Sequence, residues 1–392
     1  MSNAIRFGIV GTGGIGGAHA RAIATVGAKL TAVTDVDAPR AEKFAQQHGG
    51  KIFADYKALI RSGEVDVVSV CTPHSSHPDI SIYAVKRGIH VLCEKPMAVG
   101  VREARKMAEV ANQYPDVKFG VNFQLRSTPI FKKAKEMISA GRLGKIYRAT
   151  WIITDWFRSQ HYYNGGGWRG TWEGEGGGVL LNQCPHQLDI YQWLIGLPDR
   201  VTASASLGKY HKVEIEDDIT ALLEYKNGAT GHFIATTGEW PGSNRFEISG
   251  DRGRLLIEGG KLTFDETVCS VAEFCATTTT ERFRGPQVNS QQVPLEGEGG
   301  RHIDMVKNMI DAVTTGAPLI APAQESVAQL ELGNAMTLAG ITGKPVALPL
   351  NGNTYARFLK EMVRKAKAGE ISAKVSGTAK QEVPADVAPR LV

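Results

Sequence analysis

An apolar strand that breaks into a glycine-rich turn constrains this chain more than anything else in it. Residues 5–10 read as a buried strand and run straight into Gly11-Thr12-Gly13-Gly14-Ile15-Gly16, after which small and apolar residues suit a helix start. Strand, tight turn and helix in that order are what a dinucleotide pyrophosphate requires. Gly11 permits the turn, Gly13 lets the backbone approach phosphate, and Gly16 lets helix and strand pack closely. The free N–H groups at the helix start then face the negative charge. Residues 30–34 form the next strand, and Asp35 ends it at the distance where a carboxylate accepts hydrogen bonds from a ribose 2′-OH and repels a 2′-phosphate. NAD is therefore favoured over NADP, with Arg40 keeping NADP open.

A chain of 392 residues exceeds one ordinary domain, and a hydrophobic fraction of 42% can supply two cores. No apolar run approaches the roughly 20 residues of a membrane span. The start of the chain lacks a basic segment followed by an apolar stretch and cleavage site, so a cytoplasmic protein is expected. The five cysteines show neither paired spacing nor a zinc pattern, which argues against disulfides and against a metal site. A net charge of +5, spread along the chain, gives little support to nucleic-acid binding and suits a small-molecule partner.

Through about residue 122, short β-branched runs at 65–70, 89–92 and 117–121 alternate with helix-like segments at 78–87 and 101–114. That alternation implies βαβ units and a doubly wound parallel sheet over residues 1–125. A helix at 129–140 follows, and from Gly144 the pattern changes to a strand series: 146–154, 200–206, 219–225, 230–236, 245–249 and 254–257. Turn signals at 226–228 and 250–253 make this second sheet open and mostly antiparallel. One helix, at 180–194, interrupts the strands, and helices at 302–314 and 323–340 are available to pack back on the first domain. An α+β domain over residues 126–368 is expected, followed by a polar, aperiodic tail at 369–392, flexible or exchanged with a partner.

Ligands of open α/β sheets bind beyond the carboxyl ends of the strands. Three points fall there: Cys71-Thr72-Pro73-His74, Glu94-Lys95-Pro96, and Asn122. Pro96 biases Lys95 away from helical geometry, so its amine can hydrogen-bond a reacting oxygen and relay a proton. On the interrupting helix, Asn182, His186 and Asp189 are spaced by four and three and share a face. His186 suits general acid–base work, with Asp189 or Asn182 orienting its ring; a hydrogen-bonded structural histidine is the other reading. The stretch from Trp156 to Trp172, which includes His161, Tyr163, Trp168 and Arg169, offers flat rings and polar edges for a sugar, or else plugs the domain junction.

With the glycine turn, Thr72-Pro73 and His77, Glu94-Lys95-Pro96, and Gly177-Gly178 followed by His186 and Asp189 all in order, the chain resembles the Gfo/Idh/MocA oxidoreductases from residue 5 to about 349. That resemblance implies a Rossmann domain joined to a sheet domain that forms the oligomer contact, with NAD or NADP used on a secondary alcohol of a sugar or inositol. It also implies that Lys95 contacts the reacting hydroxyl, that His186 relays its proton, and that Trp168-Arg169 lies near the cofactor. Many inositol dehydrogenases of the family carry Asp where this chain has Asn182, and the Asn variant is similar to members that oxidise C3 of pyranosides. Glucoside and levoglucosan 3-dehydrogenases share the Trp168 region.

The expected activity is NAD-dependent oxidation of a pyranoside hydroxyl at C3. Inositol oxidation, an NAD-retaining glycosidase working through a 3-keto sugar, and a non-catalytic NAD sensor are the alternatives. Expected cofactor residues are Gly11, Thr12, Gly13, Gly14, Ile15, Asp35, Thr72, Pro73, His74, His77, Glu94, Lys95, Asn122, Trp168 and Arg169. Expected substrate residues are Lys95, Asn122, Arg126, Tyr163, Trp168, Asn182 and His186, in a homo-oligomer, dimer or tetramer.

Overall fold

Strands buried on both faces read as unbroken apolar runs, and Val67, Val68 and Val70 are each fully buried. They belong to the first of two sheets in the computed structural model, which describes residues 4–165 and 167–371. This sheet comprises β1 (Arg6–Val10), β2 (Lys29–Thr34), β3 (Lys51–Ile52), β4 (Val67–Val70), β5 (His90–Cys93) and β6 (Phe119–Val121). All are parallel, in the order β3-β2-β1-β4-β5-β6. The order reverses between β1 and β4, and a crevice opens there.

Helices α1 (Gly14–Thr25), α2 (Ala38–His48), α3 (Tyr56–Arg61), α4 (His77–Val85) and α5 (Val101–Gln113) are the crossovers. Asp37 and Asp55 cap α2 and α3 by accepting the backbone N–H groups of Arg40 and Ala58.

The second sheet holds β7 (Ile146–Ile153), β8 (Arg200–Leu207), β9 (Glu216–Glu224), β10 (Thr230–Thr236), β11 (Asn244–Gly250), β12 (Gly253–Glu258), β13 (Lys261–Thr267), β14 (Val288–Gln292) and β15 (Val346–Ala347). Its order is β14-β13-β12-β11-β7-β10-β9-β8-β15, antiparallel except where β7 meets β10. The turns expected at 226–228 and 250–253 join β9 to β10 and β11 to β12. Along β9, Ile219, Ala221 and Leu223 point into the core while Thr220 and Leu222 are exposed, the period of two expected of a half-covered sheet.

The remaining helices are α6 (Pro129–Ser139), α7 (Gln160–Asn164), α8 (Pro185–Ile195), α9 (Val271–Thr277), α10 (His302–Thr315), α11 (Ala323–Thr342) and α12 (Gly352–Lys367). The last third does return to the first domain: Met305, Val306 and Met309 of α10 and Leu330 of α11 join the core around Phe7 and Ile9. Leu332, Ala335 and Met336 of the same α11 join the core of the second sheet. A helix serving two cores is covered on more than one face, and every residue of α11 from Gln329 to Ala339 is buried.

Several elements depart from expectation. The helix expected at 180–194 is a wide turn at Val179–Gln183 followed by α8, because Pro185 has no N–H to continue a helix and restricts Cys184 before it. Strands β13, β14 and β15 and helices α7, α9 and α12 were not anticipated. Asn351 starts α12 by accepting the N–H groups of Asn353 and Thr354, and Phe358, Leu359 and Met362 seat it beside Tyr163 and Trp172. The expected tail beyond residue 371 lies outside the described residues. Among the described residues, no helix is long and apolar enough to cross a membrane.

Candidate active site

The crevice at the switch point is a cavity of about 700 Å³. Gly11 stands at φ +95°, and a Cβ on Gly16 would sit 2.3 Å from the Gly11 carbonyl oxygen, so the turn closes only with glycine at both. Gly13 and Gly14 face open space at the start of α1 and line the cavity. Asp35 lines it too. Its Oδ2 accepts the amide and hydroxyl of Thr12, both at 2.8 Å, and its Oδ1 accepts the Asp37 amide at 3.0 Å. Burial alone would raise the Asp35 pKa, but those donors and Arg40 outweigh it and hold the carboxyl below its usual value. Arg40 is drawn to Asp37 at 2.8 Å.

Around the rest of this cleft stand Ile15, Thr72, Pro73, His74, Glu94, Lys95, Trp168, Arg169 and Asn182. The Trp168 ring meets His74 edge-on at 5.7 Å, and the Arg169 guanidinium lies 4.8 Å from the Trp168 ring.

A second cavity of about 750 Å³ adjoins the first, and Ile15, Glu94, Lys95 and Asn182 line both. Lys95 Nζ donates to the Asn182 carbonyl oxygen at 3.1 Å. Burial lowers the pKa of this ammonium against the pull of Glu94, so the amine exchanges its proton more readily than an exposed lysine. His186 lines the second cavity, where burial, and then the charge on Lys95, push its pKa down to about 3. Its ring is therefore neutral, and its buried Nδ1 has no hydrogen-bond partner among the described residues. The amine thus stands at the meeting of two cavities, with a neutral imidazole in the second, and both can hydrogen-bond a hydroxyl held there.

Residues 5–123 match the profile of an oxidoreductase family with an NAD-binding Rossmann fold, and residues 131–256 match the Gfo/Idh/MocA C-terminal domain. The rhizopine catabolism protein MocA of Rhizobium meliloti is 33% identical over 85% of this chain and 94% of its own length. This chain belongs to the Gfo/Idh/MocA oxidoreductase family. An inositol 2-dehydrogenase from Rubrobacter xylanophilus is 33% identical over 50% of this chain, a match spanning only 53% of that protein. D-glucoside 3-dehydrogenase from Escherichia coli is 28% identical over 58% of this chain and 68% of its own. The WlbA dehydrogenase of Bordetella pertussis, solved with NADH and UDP-GlcNAcA, superposes with a TM-score of 0.74 at 27% identity, covering 89% of this chain and 100% of that one.

Five expected ligands of this Gfo/Idh/MocA protein lie elsewhere than its cavities. Thr12 is buried beneath Asp35, to which it donates. His77 is fully buried, its ring nitrogens 2.9 Å from the Pro96 oxygen and 2.7 Å from the Thr72 oxygen, so it ties two strand-end loops together behind the cleft. Asn122 is fully buried and donates to Glu94. Arg126 grips Asp189 through two 2.8 Å bonds and Glu325 at 2.6 Å. It braces α8, and it also removes Asp189 from any role in orienting His186. Tyr163 turns inward to Thr237 at 3.0 Å, and its neighbour Tyr162 lines the second cavity instead. The five-residue helix α7 points one tyrosine each way, which an aromatic pair in sequence does not reveal.

Sequence reasoning missed a bracket beneath Lys95. Glu94 Oε1 lies 2.7 Å from His19 Nε2 on α1 and 3.5 Å from His302 Nε2 on α10, and it also accepts from Asn122. Burial raises the Glu94 pKa, but the two histidines more than offset this and hold the carboxyl well below its usual range. The three side chains offer possible metal-ligand atoms within 4.8 Å of one another, a grouping that separations of 75 and 208 residues could not announce. The hydrogen bonds to Glu94 account for its geometry.

Proposed function

We propose that the protein is an NAD-dependent dehydrogenase that oxidises a secondary hydroxyl, at C3, of a pyranoside to a ketone. One observation carries the reading: Lys95 lines both the dinucleotide cleft and the adjoining cavity, with His186 in the latter. Open space over Gly13 and Gly14 at the start of α1, and an ionised Asp35 at the far end, fit a dinucleotide. The Asp35 carboxylate supports NAD over NADP. A nicotinamide bound in the cleft supplies the hydride acceptor.

The chain's own residues then handle the proton. Lys95 hydrogen-bonds the substrate oxygen, and Lys95 and His186 share the O–H proton as the carbon loses its hydride. Asn182 cannot take a proton and serves as a hydrogen-bonding ligand. The likeness to D-glucoside 3-dehydrogenase, and the nucleotide sugar held by WlbA, support a pyranoside. Inositol oxidation is the second reading, favoured by the 33% identity to inositol 2-dehydrogenase. The outer face of the second sheet, where Leu222 is exposed, is the surface on which we expect a homo-oligomer to form.

The test is turnover of glucosides, levoglucosan and inositols with NAD or NADP, followed by absorbance of the reduced cofactor. Reaction with pyranosides and NAD is expected; reaction with inositols alone would overturn the first choice.

A further inference from the structure

Behind Asn182 stands a carboxylate that the motif reading did not use. Glu175 is fully buried; its Oε2 accepts the Gly170 backbone N–H at 2.7 Å, and its Oε1 accepts Nδ2 of Asn182. Gly170 belongs to the loop that brings Trp168 and Arg169 to the dinucleotide cleft, whereas Asn182 lines both cavities. One side chain thus ties the cofactor side of the site to the substrate side. With Nδ2 committed to Glu175, the acceptor left on the carboxamide is Oδ1, to which no hydrogen bond is made among the described residues.

We propose that Glu175 is a positioning residue of the dehydrogenase site and supplies, from behind, the carboxylate that position 182 lacks. Ionised, it fixes the Asn182 carboxamide so that Oδ1 accepts the substrate hydroxyl, and it sets negative charge against the Lys95 ammonium. Protonated, it can donate to Oδ1 instead, which turns Nδ2 toward the substrate and withdraws the acceptor.

The groups that face it are mixed. Lys95 at the end of β5 and Arg169 in its own loop favour its charge, Glu216 of β9 and Tyr163 of α7 disfavour charge near it, and His74 lies 3.4 Å from its backbone oxygen. Burial is the largest influence and raises its pKa to about 7, so the carboxyl changes state near neutrality.

The inference rests on the dehydrogenase reading, and its test separates the two. Glu175→Gln and Glu175→Asp are compared with wild type for kcat/KM and KM against pH, and for NADH affinity. Wild-type kcat/KM should rise with pH through about 7. In Glu175→Gln that rise should vanish, with kcat/KM at high pH lower by roughly tenfold, mostly through KM, and NADH affinity held within about twofold. Glu175→Asp should restore part of the rise. Lys95 and His186 are both kept in the Gln variant, and His186, with its pKa pushed down to about 3, stays neutral across this range, so the limb that disappears belongs to Glu175. An unchanged pH profile in Glu175→Gln overturns the inference, as does an equal loss of NADH affinity and kcat/KM at every pH, which would make Glu175 a brace for the loop. Tight NADH binding with no wild-type turnover of any sugar or polyol sinks the dehydrogenase reading itself, and the inference with it.

Discussion

The dinucleotide cleft and the adjoining cavity share Lys95 as a wall, yet the chain builds them in opposite ways. Most of the cleft comes from residues 10–95, a single run of βαβ units whose strand ends arrive side by side by topology. The cavity draws on residue 15, residues 94–95, 124–125 and 130–131, residues 151, 155, 156, 158 and 162, residues 182–183 and 186–187, and residues 244, 257–260 and 302. A local motif can encode the first, because tight turns and helix starts depend on neighbours in sequence. The second exists only after two cores have packed, with α11 between them.

The sharpest way to break this comparison is at the shared wall. Lys95→Met keeps the side chain's bulk and removes the amine, so kcat/KM should fall by about 10² to 10⁴ while NADH affinity stays within a few-fold. A matched loss of NADH affinity would mean that the two regions are not separable at Lys95.

Arg126 tests the cavity side. Arg126→Met leaves the buried Asp189 without its partner, and denaturant unfolding should show a loss of about 3 to 5 kcal/mol. If stability holds and KM alone rises, Arg126 is a substrate ligand after all.

Glu216 tests how the second domain supports the site, through pH. Burial raises its pKa from 4.5 to about 7, although its Oε1 accepts the amides of Gly178 and Leu180. A Cβ on Gly178 would sit 1.8 Å from the Glu216 backbone oxygen, so strand and loop meet without space for water. Because the folded pKa lies above the unfolded one, the stability linked to this proton is fully present below about pH 4.5 and is lost as pH rises through about 7. Glu216→Gln removes that dependence. The stability of wild type relative to the variant should fall by up to about 3 kcal/mol across that window, measured by chemical denaturation. A constant difference would show that the carboxyl does not titrate there.

The smallest effect is expected at the far end of the cleft. Asp35→Ala should weaken NAD by about tenfold, one good charged hydrogen-bond site, and narrow the preference against NADP, read by cofactor titration. Unchanged selectivity would remove Asp35 from cofactor choice.

Legibility followed the same division. Gly11, Gly13, Gly14, Asp35, the strand-end Lys95 and even His186 line the cavities, because each stands at a fixed offset from a strand or helix boundary that the local pattern marks. Thr12, His77, Asn122, Arg126 and Tyr163 do not line either cavity. Whether a polar side chain lines a cavity or a core depends on the element packed against it, and Asp189, Thr237, Glu94 and the Pro96 carbonyl are distant partners. Glu175 went unnoticed for a related reason: a glutamate between glycines reads as a loop residue until the fold buries it against Asn182.

By itself, then, the sequence determined the two sheets, the dinucleotide cleft and the identity of the amine at its mouth, since these follow from periodicity, turn chemistry and the carboxyl-end rule for parallel strands. Only the tertiary structure decided which polar groups face the cavity, which are spent as buried pairs, and which carboxyls are forced toward neutrality. Those outcomes are set by desolvation and by partners supplied from far along the chain, and no local pattern carries that information.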